Sequence, residues 1–310
     1  MPPPLSTAVG LGFRAAFREP WLLAVSLAVA LVRRAAVWPA AAVAWAVLLR
    51  SALLGLQRHP RSPAAPIEAM LAAATAPRFI ALVAGLWLAG VAVGAALRIA
   101  FVAGAYPTLA GAVSGEPGPR FATGVAFGFP RVLGAAALGL VLEVSAGLFG
   151  VTLGLAAARI TGVAASSGGS VLLAAGVALA LVLAIAVPLA LSTVVDAAVA
   201  RAGVLGDGPA QAFVEVGARF LARPGAFVLG AIAFGLAAVA GQGLVAGAGS
   251  VAMGFASAIA PAVAVGPQLM LATLGAAVAA GIDLVWLGTI ATLACGEESH
   301  LRRWPAASTH

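Results

Sequence analysis

Six long runs of apolar residues constrain the fold of this chain more than any other feature of its sequence. A run of about 20 apolar residues is long enough to cross the hydrocarbon core of a bilayer as a helix. Hydrophobic residues make up 63% of the chain and charged residues 9%, whereas a soluble domain is roughly half apolar and a quarter charged. We therefore predict an all-α, polytopic transmembrane helix bundle. The six predicted spans are Ala35–Leu56, Phe79–Ala105, Leu133–Ala158, Val171–Val195, Gly225–Gly247 and Gln268–Cys295.

The distribution of these spans divides the chain into three parts. Residues 1–20 are predicted to form an amphipathic segment at the membrane interface, residues 21–295 the transmembrane helical domain, and residues 296–310 a polar cytoplasmic tail. Within the domain, the stretch Ser250–Val265 is rich in Gly and Ala and is interrupted by Pro261. Irregular backbone at membrane depth must be covered by protein, so we expect a re-entrant or interfacial connector there.

The stretch before the first span leaves two alternatives open. Trp21–Val32 is apolar but is followed by two arginines, with no small-residue cleavage site before a polar region, so we expect it to be retained and not removed as a signal peptide. One straight helix over Trp21–Leu56 would be about 50 Å long, which is too long for a single crossing. Either the helix bends near Pro39, or Trp21–Val32 is a separate, half-buried segment.

The positions of the arginines predict the orientation of the spans, because cytoplasmic segments of membrane proteins are enriched in basic residues. The sequence contains no Lys, which we attribute to a GC-rich, bacterial genome. With six spans, more arginines fall on the side of the two termini, and we predict that both termini are cytoplasmic in the inner (plasma) membrane. That side carries Arg14, Arg18, Arg33, Arg34, Arg120, Arg131, Arg201, Arg219, Arg223, Arg302 and Arg303, and the opposite side carries Arg58, Arg61, Arg78 and Arg159.

The sequence also contains an internal repeat. Ala110–Phe121 aligns without gaps on Ala202–Phe213, and the same register superposes Arg131 on Arg223. Phe13 to Pro20 resembles both stretches, so we predict three repeated helical hairpins, each preceded by an amphipathic interfacial segment. The alternative is that Arg, Gly and Pro simply recur wherever a chain enters the membrane from the cytoplasm.

The amphipathic segment before the fifth span shows the pattern best. One stripe is polar and spaced every four residues, and an apolar face lies beside it. We expect such a helix to lie flat at the interface, with its aromatic rings in lipid and its arginines toward anionic headgroups. The polar stripe is Gln211, Glu215, Arg219 and Arg223, and the apolar face is Phe213, Val216 and Phe220. The predicted lipid contacts are Arg14, Arg18, Arg219 and Arg223.

The segment Asp207-Gly-Pro-x-x-Ala-Phe213, followed by Arg219 and by Arg223-Pro-Gly225, resembles bacterial six-helix membrane proteins of poorly known activity. An example is the membrane domain that accompanies some glycerophosphodiester phosphodiesterases. The resemblance covers Ser192–Gly235 and includes no catalytic residue. It implies a membrane module and not an enzyme.

Charged residues inside the predicted spans are the most specific functional signal. Glu143 lies near the middle of the third span and Asp283 near the middle of the sixth. A charge at that depth costs roughly 2.5–3.5 kcal/mol to insert, so each should face other helices or a wet cavity. Either the carboxylates form a proton- or cation-coupled site, or they hold helices together. Arg98 either extends to the headgroups or pairs with one of the carboxylates.

The same sequence argues against several classes of function. The single cysteine, Cys295, is interpreted as a buried small hydrophobe, with reversible lipidation as the alternative. His59, His300 and His310 are too far apart for a metal motif, and the scattered arginines do not form a nucleic-acid patch. We expect no cofactor, no nucleic acid and no enzymatic activity. The remaining hypotheses are a scaffold or accessory subunit that binds a membrane protein partner or anionic lipid, and a transporter whose path is lined by Glu143 and Asp283.

Overall fold

The protein is helical throughout the part that the structure describes. The structure is a computed structural model, and it describes residues 3–114, 121–167, 171–259 and 265–296. These ranges contain nine helices and no strand, which confirms the all-α prediction. The helices are α1 (Leu5–Arg18), α2 (Pro20–Arg58), α3 (Ala65–Ala74), α4 (Pro77–Ser114), α5 (Phe121–Ser167), α6 (Val171–Val204), α7 (Pro209–Ala222), α8 (Pro224–Ile259) and α9 (Val265–Cys295).

Six of these helices, α2, α4, α5, α6, α8 and α9, are long and apolar enough to cross a membrane. Their number agrees with the sequence prediction, and the chain is a multi-pass membrane protein. The helices extend past the predicted spans, since nothing in the sequence ends a helix at the edge of the hydrocarbon. Ser250–Ile259, the first part of the predicted connector, simply continues α8, and residues 260–264 lie outside the described residues.

The chain divides into two compact units, and the unit boundaries fall inside α2 and α4. The first unit comprises residues 1–26 and 99–310, and the second is Leu27–Arg98. Each unit has its own packing, which is described separately below.

The core of the first unit surrounds the carboxyl-terminal half of α9. This half packs against α1, α6 and α8 and is buried on all sides, as expected for a helix that is apolar around its whole circumference. The end of α4 and the end of α6 complete the core. Its largest fully buried side chains are Leu22, Phe101, Tyr106, Leu109, Phe227, Leu284, Leu287, Ile290 and Leu293.

Helices α5, α6 and α8 expose large apolar side chains outside this core. On α5 and α6 these include Leu148, Leu155 and Leu179, and on α8 Leu236 and Leu244. A soluble monomer rarely exposes a continuous apolar surface of this extent. In a membrane protein, lipid tails cover such a surface.

Helices α1 and α7 have equivalent local geometry. Each is 14 residues long and is followed by a single residue with non-helical backbone angles, Glu19 or Arg223, directly before the proline that begins the next helix. Proline disfavours a helical conformation in the residue before it, which explains both breaks. The fully buried Ala8 of α1 corresponds in position to the fully buried Ala212 of α7.

The middle unit of the predicted repeat differs from the other two. Its amphipathic segment is not a separate helix, because α5 runs without interruption from Phe121 past Pro130. The phenyl ring of Phe121 packs against Gly104 of α4, which ties the start of α5 to the core. The stretch 115–120 of the repeat lies outside the described residues.

The second unit is a helical hairpin of α2 and α4 with α3 in the connection. α2 continues through Pro39 as one helix, so the separate segment that the sequence left open for Trp21–Val32 does not form. Gly90 of α4 packs directly on the backbone of Ala36 of α2, and Gly55 of α2 packs on Ala65 of α3. Glycine is needed at both contacts, since a side chain would collide with a backbone carbonyl.

Candidate functional site

The clearest polar site in the first unit is centred on Asp196 of α6. The indole Nε1 of Trp286, from α9, donates a hydrogen bond of 3.0 Å to Oδ2 of Asp196. The hydroxyl of Tyr106, from α4, lies 3.5 Å from the backbone carbonyl oxygen of Asp196. Tyr106 is almost fully buried. Asp196 of α6 therefore joins its helix to α4 and α9. Its two partner side chains, Tyr106 and Trp286, are apolar apart from the hydroxyl and the indole N–H.

Close packing of α5 on α6 brings a second carboxyl to this site. Gly139 of α5 lies against the side chain of Val195, where a larger residue would not fit. One helical turn later on α5 comes Glu143, whose carboxyl interacts electrostatically with that of Asp196. Two acidic groups from neighbouring helices thus share one region of the first unit.

The position of Trp286 is fixed by α8. Its ring packs on Phe234 with a centroid separation of 5.3 Å. A Cβ on Gly230 would approach the indole to 3.2 Å, so the glycine provides room for the ring. Asp283 lies one turn before Trp286 on α9 and is half-buried. The indole is therefore held by aromatic packing on one side and by the Asp196 carboxylate on the other.

A buried ion pair lies at the end of α6. Nε of Arg201 is 2.5 Å from Oδ2 of Asp207, and the same guanidinium donates to the carbonyl oxygen of Ala294 at 3.4 Å. The turn between the two charged residues passes through Gly206, whose φ of 70° lies in the left-handed region that favours glycine. Arg201 thus links α6 and the loop before α7 to the carboxyl end of α9.

Two further arginines lie at the carboxyl ends of long helices. Arg18 donates a hydrogen bond of 2.7 Å to the carbonyl oxygen of Ala112, near the end of α4. A guanidinium nitrogen of Arg219 lies beside Gly296, just after α9. The last carbonyls of a helix have no partner within the helix and carry partial negative charge. The arginines of the amphipathic helices thus also stabilise helix ends.

The three predicted intramembrane residues differ in how far their side chains are exposed. Glu143 is exposed on the surface of the first unit, Asp283 is half-buried, and Arg98 is half-buried at the end of the second unit. Two hydroxyls of the same helix, those of Ser145 and Thr152, donate to backbone carbonyls of α5. The charged group that acts on Glu143 is the carboxylate of Asp196, which repels it electrostatically.

The predicted lipid contacts fall on exposed positions with one exception. Arg14, Arg18 and Arg223 are exposed, whereas Arg219 is half-buried. The aromatic rings differ from expectation on α7, because Phe220 packs on the fully buried Phe227 at a centroid separation of 5.7 Å. The large apolar side chains that α7 exposes are Val214 and Leu221.

The sequence did not indicate the contacts that Asp196, Trp286 and Arg201 make, although Arg201 was assigned to the cytoplasmic side. Asp196 follows directly after the predicted end of the fourth span, and α6 continues for two more turns. The apolar residues between Asp196 and Val204 were the signal that the helix does not end there. Nothing in the sequence indicated that a tryptophan 90 positions later would be its hydrogen-bond partner.

The chemistry of the site is that of hydrogen-bonded ties between helices. No group of three or more His, Cys, Asp or Glu could hold a metal ion within the described ranges. His59 is exposed in the loop after α2, and His300 and His310 lie outside those ranges.

No protein-family model, curated protein or solved structure matches this chain.

Proposed function

We propose that this membrane protein is a non-catalytic scaffold or accessory subunit of the bacterial inner membrane, with both termini in the cytoplasm. The observation that carries the proposal is the use of the polar groups at helix junctions. Asp196 binds Trp286 of another helix, and Arg201 binds Asp207 and the end of α9. Groups that are tied to neighbouring helices fix the bundle, whereas a transport path needs groups that exchange partners.

Glu143 supports a binding role for the surface of α5. Its side chain is exposed, and so are those of Leu140, Val144 and Leu148 around it. A carboxyl on an apolar membrane surface is expensive to leave in lipid. A helix of a partner membrane protein with a basic or hydroxyl side chain would cover it. The exposed Arg14, Arg18 and Arg223 would at the same time hold the scaffold to anionic headgroups.

Photo-cross-linking in native membranes tests the scaffold proposal. A photoreactive residue at Val144, beside Glu143, is expected to give a discrete protein adduct that disappears in the Glu143→Leu background. The matched control is Leu236 of α8, also exposed, which should give lipid adducts only. The same adducts from both positions would contradict the assignment of a partner surface to α5.

A transporter is the second candidate, and the electrostatic interaction between Glu143 and Asp196 favours it. Two neighbouring carboxyls at membrane depth are a common arrangement in proton relays. Proteoliposomes with an internal pH-sensitive dye distinguish the two candidates. The scaffold proposal predicts no proton flux from the wild type. Flux that is lost in a folded Glu143→Gln variant would establish transport and exclude the scaffold as the primary role.

A further inference from the structure

Helix α5 has an open face beside the face that packs on α6. Gly139 and Gly150 lie against α6, since a Cβ on either glycine would collide with Val195 or with the backbone of Ala184. Gly147 lies between them along the chain, and no atom of the described residues lies within 4 Å of the place where its Cβ would be. The glycines of α5 thus divide into a close-packed face and a neighbouring face that is open at Gly147.

The open face has the spacing of a helix–helix contact. Residues at intervals of three or four share one face of a helix, and the members of this face, which we call the α5 seam, are Leu140, Glu143, Gly147, Val151 and Gly154. Leu140, Glu143 and Val151 are exposed, and Gly154 is as open as Gly147 with respect to the described residues. From its first to its last residue the seam rises about 21 Å. A second helix can pack along such a seam in the manner of a coiled coil.

One charged group lies within the α5 seam. Glu143 has no hydrogen bond or ion pair within the part of the chain that the structure describes, and its side chain is exposed among apolar neighbours. A carboxylate is costly to leave against lipid, and the leucine, valine and glycines of the seam offer it no side-chain donor. The molecule that covers the seam must therefore supply a polar group at the position of Glu143.

The neighbouring carboxyl of Asp196 decides which polar group fits best. It acts on Glu143 by electrostatic repulsion, and it accepts a hydrogen bond from Trp286. A hydroxyl or amide on the covering molecule would donate to Glu143 but would leave the repulsion between the two carboxylates in place. A positive charge donates stronger hydrogen bonds and also offsets the repulsion. Charge complementarity therefore favours a cationic side chain.

We infer that the α5 seam docks a transmembrane helix of another membrane protein, which carries an arginine or a lysine at the level of Glu143. An unpaired cation inside a span is costly in the same way as an unpaired carboxylate, and intramembrane charges commonly pair with one another. Docking thus relieves a cost on both helices. The inference rests on the proposed scaffold function and adds the chemistry of the partner to it.

Photo-cross-linking to designed transmembrane peptides tests the inference. The full chain carries a diazirine-bearing residue at Val151 and is reconstituted in phosphatidylcholine vesicles. The probes are peptides of about 20 leucines and alanines that differ only in a central Arg or Gln. The arginine peptide should give about tenfold more adduct, because a charge-assisted hydrogen bond is roughly twice as strong as a neutral one. Equal adducts from the two peptides would overturn the inference.

Two substitutions separate the charge of the α5 seam from its shape. Glu143→Gln should remove the preference for the arginine peptide, and Glu68→Gln, at an exposed carboxyl of α3, should keep it. Gly147→Leu fills the seam and should lower the adducts of both peptides, whereas Gly235→Leu, at an open position of α8, should not. A preference that survives Glu143→Gln, or full adducts in Gly147→Leu, would contradict docking at the seam.

Two further measurements identify the occupant and separate this inference from the scaffold proposal. Vesicles without peptide test a second copy of the chain, in which the exposed Arg50 of α2 would supply the cation. A cross-linked dimer that disappears in Arg50→Gln would assign the α5 seam to self-association and overturn the partner helix. An adduct at Val144 in native membranes, without a preference for the arginine peptide, would leave the scaffold standing and remove only the cationic partner. Absence of that native adduct would contradict the scaffold itself.

Discussion

Gly12 of α1 and Gly288 of α9 cross in direct backbone contact. A Cβ on Gly288 would lie 2.9 Å from Cα of Gly12, and a Cβ on Gly12 would lie 2.7 Å from the carbonyl oxygen of Val285. Ala8 and Ala15, on the same face of α1, are fully buried. The amphipathic helix at the start of the chain is thus part of the core of the first unit, and its exposed Phe13 and Phe17 face outward.

The Gly12 contact predicts a strong effect of the smallest possible side chain. Gly12→Ala should destabilise the protein by about 1–3 kcal/mol, since an added methyl in a closely packed interface must displace backbone. The measurement is the thermal unfolding midpoint in detergent. Gly10→Ala is the matched control, because Gly10 has open space around it and alanine favours the helix. Equal effects of the two substitutions would show that the α1–α9 contact is not close.

The ion pair of Arg201 predicts unequal effects of two arginine substitutions. Arg201→Leu leaves the carboxyl of Asp207 and the carbonyl of Ala294 without their donor, and removal of one member of a buried pair costs about 3–5 kcal/mol. Arg131→Gln, at an exposed position of α5, should change stability by less than about 0.5 kcal/mol. Resistance to chemical denaturation in detergent measures both. A neutral Arg201→Leu would indicate that α9 is held at its end by other contacts.

The hydrogen bond from Trp286 to Asp196 predicts a specific cost for loss of the indole donor. Trp286→Phe keeps an aromatic ring against Phe234 and removes the N–H, which should cost about 1.5–3 kcal/mol because the acceptor is a carboxylate. Trp38→Phe, at a largely exposed tryptophan of α2, should be neutral. Thermal unfolding followed by tryptophan fluorescence compares the two variants. Equal midpoints would argue that the bond contributes nothing to stability.

Burial of Cys295 predicts its reactivity. It is the single cysteine of the sequence and is 1% exposed at the end of α9, so a maleimide should label it only after denaturation. Arg58→Cys adds a second thiol at the exposed last residue of α2, and this thiol should react at once in the native protein. Rapid labelling of native Cys295 would show that the carboxyl end of α9 opens, and would make the residue available for lipidation.

The sequence by itself determined the class of the protein, the number of long apolar helices and the breaks after α1 and α7. These features are local. In hydrocarbon, a spanning backbone must satisfy its hydrogen bonds within its own segment, which leaves a helix as the outcome for an apolar run of sufficient length. The breaks before Pro20 and Pro224 follow equally from a neighbouring residue, since proline restricts the conformation of the residue before it.

Only the tertiary structure decided which face of each helix is buried and which polar groups meet. A helix such as α9 is apolar on every side, and because lipid is as apolar as the protein interior, its sequence carries no contrast that indicates the inward face. The pairing of Asp196 with Trp286 and the close crossing at Gly12 and Gly288 depend on how distant segments pack. Packing of this kind depends on shape, on small residues and on single hydrogen bonds. The order of residues along the chain does not show these relationships between distant segments.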